Sequence, residues 1–463
     1  MGANVLAIDK NTIISGLRAE NTLGTITGEA FTGGVIGYQR TYDADQLNYK
    51  LDTNEDGIRA AVEAAQNSTS SSDRLLPGMN ENNIPTAVMA SKNAYTLTIS
   101  TEGNTDDSLT VNTNNIPIQT VMYSGGVLGY CDKGSKIEIK NCKNTGSITF
   151  ASDLLEKDST GGIKLGKYAA SGEIPELLTK DASELEMHFI GGITGVNLQN
   201  ETITHCANTG SLSGFTGIGG VVGLNAGTVK NCELSEHFGN VALEYVGGIV
   251  GINSNGGTIS KCTTDAGKTI SGNNHLGGIT GWNLKGGTLT GNENYATVNA
   301  SGKDNSGYAA VGGIAGQNSG TIVLQKDSST KRRSVSGAKG AGVGGLVGIN
   351  ESDGQIQVTG TGGTSGEIIV VSNKVTVQGY EQVGGIVGIN HGKFSHSGSP
   401  AYITAQAKKV QASHGTAGGV VGVTDGDIHY AVNRCESVSA DAGNAGGIVA
   451  ENTNKTAIIK KLQ

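Results

Sequence analysis

The chain has 463 residues, of which 74 are glycine and only 5 are proline. Glycine thus takes about twice its usual share of roughly 7%, but the absence of a strict Gly-X-Y period excludes collagen. The formal net charge of −8 disfavours nucleic acid and anionic membranes as partners, because both require a basic face. No apolar run reaches the ~18 residues that span a bilayer, so we expect no membrane insertion.

Residues 1–38 contain the first copy of a glycine-bracketed aliphatic phrase, Gly33-Gly34-Val35-Ile36-Gly37. A few branched aliphatic residues between turn-forming residues are typical of a short strand, and the glycine content is unfavourable for a helix. We therefore assign 1–38 to the same strand-rich repeat that dominates the later part of the chain.

Residues 39–122 interrupt this repeat and are predicted to form a small mixed α/β insertion. The stretch EDGIRAAVEAAQ favours a helix, and AYTLTIS and SLTV favour strands. Loops and insertions on a repetitive scaffold are common positions for function.

The insertion also contains a candidate calcium loop. Asp52, Asn54 and Asp56 precede Gly57, and Glu63 follows after five residues, as in D-x-[DN]-x-[DN]-G-x5-E. In this hypothesis the three side chains, the Ile58 carbonyl and Glu63 bind calcium. The sequence departs from the pattern at positions seven and eight, and the alternative is an acidic turn in which Asp56 caps the following helix.

Residues 123–150 hold one further repeat copy, and residues 151–188 form a second interruption with helical character in IPELLTKDASELEM. The repeat then runs through 189–463. The Gly-Gly pairs that open the phrase begin at Gly33, Gly125, Gly191, Gly219, Gly247, Gly277, Gly312, Gly344, Gly384, Gly418 and Gly446.

The spacing of these pairs indicates a solenoid. The pairs at Gly191, Gly219 and Gly247 are each separated by 28 residues. A unit of this length has room for three short strands, which predicts one coil of a right-handed parallel β-helix whose coils stack about 4.8 Å apart. The overall class is therefore all-β, and a single coil cannot bury its own apolar side chains.

Two positions of the phrase predict ladders between coils. The residue after each Gly-Gly pair is always a large aliphatic, which favours an inward row, although the other parity of the strand is also mostly apolar. Asn stands two places after the third-glycine position in eight copies, in one of which Ala450 replaces that glycine. This suits a corner where amides of successive coils hydrogen-bond to each other. The glycines permit either positive φ or close approach at the corners.

The cysteines recur at a similar place in the repeat. Cys142, Cys206, Cys232, Cys262 and Cys435 lie 13 to 17 residues after their Gly-Gly pairs. A repeated corner position favours a stack of small buried free thiols, and the alternative is a disulfide framework.

The phrase GGIVGIN-x-G-x-I-x-x-C-x-N-x-G resembles the GLUG-motif repeat, most clearly over Gly191–Ser211 and Gly219–Cys232. The resemblance covers about 191–452, with isolated copies at Gly33 and Gly125. It implies a module of a large bacterial surface protein, similar to the non-catalytic region of streptococcal immunoglobulin A peptidases. No His-Glu-x-x-His motif is present, so the resemblance implies no peptidase activity here.

Other residues point to solvated or packing positions. Lys331-Arg332-Arg333 is typical of a solvated basic turn, and Trp282 occupies a row held elsewhere mostly by aliphatic residues, which favours packing. Parallel β-helices also support polysaccharide-degrading enzymes, but these need convergent carboxylates and no repeat position is consistently acidic.

Together these features predict a structural or adhesive module of an extracellular, cell-surface protein that binds a host or neighbouring-cell protein or glycan without catalysis. The alternatives are a polysaccharide-degrading enzyme on the same fold and the repeat region of a secreted peptidase. MGANVLAIDK does not have the pattern of a signal peptide, and both ends fall inside repeat units, so we expect the chain to be part of a longer protein.

Overall fold

The computed structural model describes residues 12–15, 24–28, 31–39, 96–100, 111–121, 123–131, 136–151, 188–214, 216–236, 244–300, 309–325, 329–331, 333–359, 367–396, 402–454, 457 and 459–460. These residues contain 54 short strands and no helix. Every strand pair is parallel and joins one coil to the next, as between Val222–Asn225 and Val250–Asn253. The predicted parallel β-helix is therefore confirmed.

One coil passes through five strands in turn. The coil that begins at Ile190–Gly191 continues through Thr194–Asn197, Thr202–Thr204, Ala207–Asn208 and Leu212–Ser213. Each of these strands belongs to a different stacked sheet. The repeated phrase, which we expected to be one strand, is divided into two strands by the turn at its Gly-Gly pair.

Sheets 1 and 2 flank the Gly-Gly turn and each has 11 strands. The strands of sheet 1 are Phe31–Gly33, Tyr123–Gly125, Ile190–Gly191, Thr216–Gly219, Glu244–Gly247, Asn274–Gly277, Ala309–Gly312, Ala341–Gly344, Val383–Gly384, Gly415–Gly418 and Gly443–Gly446. The strands of sheet 2 are Ile36–Gln39, Leu128–Cys131, Thr194–Asn197, Val222–Asn225, Val250–Asn253, Thr280–Asn283, Ala315–Asn318, Val347–Asn350, Val387–Asn390, Val421–Thr424 and Val449–Asn452.

Sheets 3 and 4 follow in the chain and have 10 strands each. The strands of sheet 3 are Thr12–Ser15, Thr96–Ser100, Lys136–Lys140, Thr202–Thr204, Thr228–Lys230, Thr258–Ser260, Thr288–Thr290, Thr321–Leu324, Gln355–Val358 and Lys393–His396. The strands of sheet 4 are Val111–Asn114, Cys142–Asn144, Ala207–Asn208, Glu233–Leu234, Thr263–Thr264, Glu293–Asn294, Ser329–Thr330, Glu367–Val371, Tyr402–Ala405 and Ala431–Asn433.

Two further sheets complete the coil between sheet 4 and sheet 1. Sheet 5 has six strands, Thr269–Gly272, Thr297–Ala300, Ser334–Ser336, Thr376–Gly379, Lys409–Ala412 and Val438–Ala440. Sheet 6 takes the same place in earlier coils, with Ile26–Gly28, Ile118–Thr120, Ile148–Phe150 and Leu212–Ser213. A final two-stranded sheet joins Ile428–His429 to Ile459–Lys460.

Part of the interval 39–122 belongs to the coils. Thr96–Ser100, Val111–Asn114 and Ile118–Thr120 pair with strands of neighbouring coils, so this portion continues the solenoid because its backbone groups satisfy the same ladders. The predicted helix, the candidate calcium loop at 52–63 and residues 152–187 of the second interruption lie outside the described residues. Calcium binding stays a prediction.

The main core contains up to three residues of each phrase. In the coil of Gly247 these are Val246, Ile249 and Val250, all fully buried. Ile252, two residues further along sheet 2, is also buried but belongs to a second cluster outside the main core. Because the adjacent residues Ile249 and Val250 are both buried, both parities of the phrase point into the protein, which answers the question that the apolar pattern had left open.

Sheet 2 lies directly on sheet 1 because the third glycine of the phrase has no side chain. A Cβ added to Gly251 would lie 2.6 Å from the carbonyl carbon of Gly217 and 2.7 Å from the nitrogen of Ile218 in sheet 1. The glycine row therefore brings the two sheets into backbone contact. The second cluster, which includes Tyr245 and Trp282, fills the space beside this contact.

Trp282 packs as predicted and is only 8% exposed. Its ring stacks on Tyr245 with 5.1 Å between centroids, and Tyr245 stacks on His275 at 4.6 Å. Burial lowers the pKa of His275 to about 4, because the charged imidazole would lose its hydration.

The predicted asparagine ladder is confirmed in sheet 2. Each side-chain amide donates to the amide oxygen of the next coil over 2.6–2.8 Å, and Asn390 ends the row by donating to the Thr424 hydroxyl. The row consists of Asn197, Asn225, Asn253, Asn283, Asn318, Asn350 and Asn390.

The thiol column contains four of the five predicted cysteines, Cys142, Cys206, Cys232 and Cys262, each directly after a residue with positive φ. The Cys206 thiol donates to the Thr204 carbonyl, and burial raises its pKa. The prediction that Cys435 belongs to this column was wrong. Cys435 comes two residues after its sheet 4 residue, Asn433, whereas Cys262 comes two residues before Thr264, which has the same register position in sheet 4. All six cysteines are free thiols.

Candidate functional site

The outer face of sheet 5 carries a row of polar side chains. Val377 and Val410 point inward and are fully buried, so the residues that follow them, Gln378 and Gln411, point outward. The register pairs Ser336 with Gln378 and Gln378 with Gln411. Hydroxyl and amide groups therefore repeat along the solenoid axis at the coil spacing of about 4.8 Å.

A groove of about 320 Å³ lies beside this row, where sheet 5 turns into sheet 1. The turn supplies one wall and the polar row supplies the floor. The lining residues are Ser336, Gly337, Ala338, Lys339, Gln378, Gly379, Tyr380, Gln411 and Ser413.

Tyr380 lines the groove at the turn and is stacked on His414, which lies behind it and outside the lining. The rings of Tyr380 and His414 stack with 4.3 Å between centroids and 16° between planes. The two residues occupy the same turn of consecutive coils, since the His414 amide donates to the Tyr380 carbonyl over 2.7 Å. The Lys339 Nζ, from the preceding coil, lies 5.7 Å from the Tyr380 ring centroid, within the range of a cation–π contact.

The two glutamine side chains of the groove differ in whether they hydrogen-bond to another residue of the protein. Gln411 Nε2 donates to both carboxylate oxygens of Asp441, over 3.0 and 3.1 Å. Gln378 is exposed, and its side-chain amide makes no hydrogen bond within the part of the chain that the structure describes. The floor therefore offers a free amide next to one that is held in place.

An aromatic ring, a free side-chain amide and hydroxyls in one groove are groups that bind sugars. A ring face packs against the apolar face of a pyranose, and amides both donate to and accept from sugar hydroxyls. None of the nine lining residues is a carboxylate. The arrangement is suited to binding a polyhydroxylated ligand.

The residues singled out from the sequence lie elsewhere. Trp282 is buried in the second cluster, and Lys331 forms an ion pair with Glu293. Over the described ranges, no group of three or more His, Cys, Asp or Glu residues could hold a metal ion. The same residues include no helix with the length and apolar character of a membrane span.

Sequence reasoning did not find the groove because its residues are outside the repeated phrase. The stretches VTVQGY at 375–380 and VQASH at 410–414 carry the signal, since both place a glutamine after a core valine and an aromatic soon after. Their alignment becomes visible only when the strands of sheet 5 are placed in register.

The fold defines the class of this protein as a repeat protein with a parallel β-helix. Residues 242–271 match the family model described as the GLUG motif, so this stretch is a GLUG repeat and the resemblance noted in the sequence is confirmed. The match covers one coil, including the strands Glu244–Gly247 and Val250–Asn253. Searches of curated proteins and of solved structures found no match for this chain.

Proposed function

We propose that this chain is a structural and adhesive module of a bacterial cell-surface protein, and that its groove on sheet 5 binds a glycan without catalysis. The observation that carries the proposal is the Lys339–Tyr380–His414 column beside the outward amides Gln378 and Gln411. The surface location is the part of this proposal that the resemblance of the repeat to modules of bacterial surface proteins supports.

The solenoid supports the adhesive role through its rigidity. The core row runs through successive coils, and the asparagine ladder links seven of them without a break. Ligand-binding groups on such a scaffold are held in position before the ligand arrives, which lowers the ordering cost of binding. The non-catalytic role is supported by the composition of the groove, because glycoside hydrolysis needs two carboxylates at the scissile bond.

A glycan array with the full chain tests this function, together with a reducing-sugar assay on the glycans that bind. The Tyr380→Ala variant should lose about fivefold or more in affinity, since aromatic stacking contributes on the order of 1 kcal/mol or more. The matched control is Tyr402→Ala, because Tyr402 is also a half-buried tyrosine in an aromatic pair, with Tyr430 at 5.7 Å.

The outcomes separate binding from catalysis. Equal loss of binding in both variants, or no glycan bound at all, would refute the groove as the site. Release of reducing ends from a bound glycan would establish an enzyme in place of an adhesive module.

A further inference from the structure

Four cationic side chains lie along the edge of sheet 5 opposite the groove. Arg333, Lys374 and Lys408 are exposed, and Lys409 is half-buried. None of the four forms an ion pair with another residue that the structure describes. We refer to Arg333, Lys374, Lys408 and Lys409 as the basic edge.

The register places the basic edge on three consecutive coils. Arg333 directly precedes Ser334, which pairs with Thr376, and Thr376 pairs with Lys409. Lys374 lies two residues before Thr376 in the middle coil. Since neighbouring coils are about 4.8 Å apart, the four cations form one continuous patch.

Neighbouring cations behave differently, because carboxylates neutralise them. Lys331 Nζ lies 2.9 Å from Glu293, and Arg434 Nε donates to Glu367 over 2.9 Å. The basic edge therefore concentrates four cations without ion-pair partners among the described residues, and Glu436 of the next coil is in register with Lys408. The chain as a whole has 41 acidic and 33 basic residues. The net charge of the whole chain does not reveal this patch. Salt screens electrostatic attraction beyond about 8–10 Å, so a bound ligand responds mainly to the charges close to it.

Lys339 supplies a cation on the other side of the same sheet. The strand that separates the basic edge from the groove covers four residues, Lys409–Ala412, or roughly 13 Å at about 3.3 Å per residue. Between the two edges lie the outward Gln378 and Gln411. Cations thus flank a floor of hydrogen-bonding groups, in which Gln411 also binds the Asp441 carboxylate.

We propose that the ligand of sheet 5 is an anionic polysaccharide, with carboxylate or sulfate groups, that lies across the sheet from the groove to the basic edge. The inference rests on the proposed glycan-binding function and adds the charge of the ligand. Sugar rings contact Tyr380 and the amides, and the anionic substituents contact Lys339 and the basic edge. A polyphosphate chain fits less well, since it has no sugar ring to contact Tyr380 and no hydroxyl groups for the amides.

The test measures the affinity of the full chain for hyaluronan, which is carboxylated, for heparin, which is sulfated, and for uncharged dextran. One variant carries Arg333→Gln, Lys374→Gln, Lys408→Gln and Lys409→Gln. The control carries Lys230→Gln, Lys261→Gln, Lys285→Gln and Lys393→Gln, which removes four exposed cations away from sheet 5. Single-stranded DNA and vesicles of anionic phospholipid are measured in parallel.

We expect hyaluronan or heparin to bind more tightly than dextran, with affinity that falls as salt is added. The basic-edge variant should lose about tenfold in affinity and most of its salt dependence, because each exposed contact is weak and four are removed together. The control variant should stay within about twofold of the wild type.

Several results would overturn the charge assignment. If dextran binds as tightly as the charged polymers and Tyr380→Ala abolishes that binding, the groove binds glycans but the inference of an anionic ligand is wrong. Equal loss in the two quadruple variants would show a non-specific charge effect. Tighter binding of DNA or vesicles than of either charged glycan would assign the basic edge to another partner.

Discussion

The second glycine of the Gly-Gly pair lies in a turn that closely approaches both the backbone of the next coil and a side chain of sheet 4. A Cβ on Gly248 would meet the Gly278 carbonyl oxygen of the next coil at 2.1 Å and the Thr264 side chain at 2.7 Å. Gly248 does not have positive φ, so the requirement for glycine is close approach and not an unusual backbone conformation. The first glycine is similarly confined, since a Cβ on Gly247 would lie 1.8 Å from the Val250 carbonyl oxygen.

The effect of a single methyl group can be tested at equivalent positions of two coils. We expect Gly248→Ala to lower the free energy of unfolding by about 2–4 kcal/mol, because the backbone neighbours cannot move away. At Gly447, the same position in the last described coil, a Cβ would have no described residue within 4 Å. Gly447→Ala should therefore change stability by less than about 0.5 kcal/mol in urea denaturation, and equal effects would contradict the close-approach explanation.

His275 links stability to pH. Its pKa is lowered to about 4 by burial, so between pH ~6.5 and ~4 the unfolded chain binds the proton more readily than the folded chain. The free energy of unfolding should therefore fall as the pH falls through this window, by about 2 kcal/mol after allowance for the partial exposure of the ring.

The variant His275→Asn removes this titration while keeping a residue that tolerates the positive φ of 52° at this position. Denaturation from pH 7 to 4 should show a shallower loss of stability for this variant than for the wild type. His414→Asn is the control, because His414 is exposed. A wild-type pH dependence in His275→Asn would show that other groups cause the acid sensitivity.

At the scale of the element, the asparagine ladder is the polar counterpart of the aliphatic rows. Asn283 accepts from Asn253 and donates to Asn318, each over 2.8 Å, and all three side chains are fully buried. Removing one amide leaves a donor on one side and an acceptor on the other without a partner. Buried unpaired groups cost more than the bond itself contributes.

We expect Asn283→Ala to destabilise the chain by about 2–3 kcal/mol in chemical denaturation. The matched control is Asn452→Ala, because Asn452 has the same position in the last described coil but is exposed to solvent. That substitution should cost no more than about 0.5 kcal/mol. A similar cost at the two positions would indicate that the ladder contributes little beyond the local turn.

At the scale of the whole molecule, the coils depend on one another because they share a continuous core. The fully buried Ile249 is part of a cluster that extends from Ile36 to Ala431 along the solenoid. A charge in this core cannot be hydrated or paired. Its effect should therefore extend beyond one coil.

Ile249→Asp should cost about 4 kcal/mol or more and abolish cooperative folding of the repeat, as measured by circular dichroism and limited proteolysis. Ile369→Asp is the control with the same chemical change, since Ile369 is 42% exposed on sheet 4. We expect that variant to keep a strand-rich spectrum and near wild-type stability. Normal folding of Ile249→Asp would contradict a shared core.

The repeat of the sequence by itself determined the parallel β-helix, the inward aliphatic row and the asparagine ladder. Each is a property of one position that recurs once per coil, and stacking brings such positions together automatically. The tertiary structure decided the two-strand division of the phrase, the place of Cys435 and the groove on sheet 5. These depend on how sheets pack against each other and on side chains from strands of variable spacing, such as Ser336, Gln378 and Gln411. Local periodicity contains no information on such contacts, because insertions between coils change the sequence distance while leaving the spatial distance near the coil spacing.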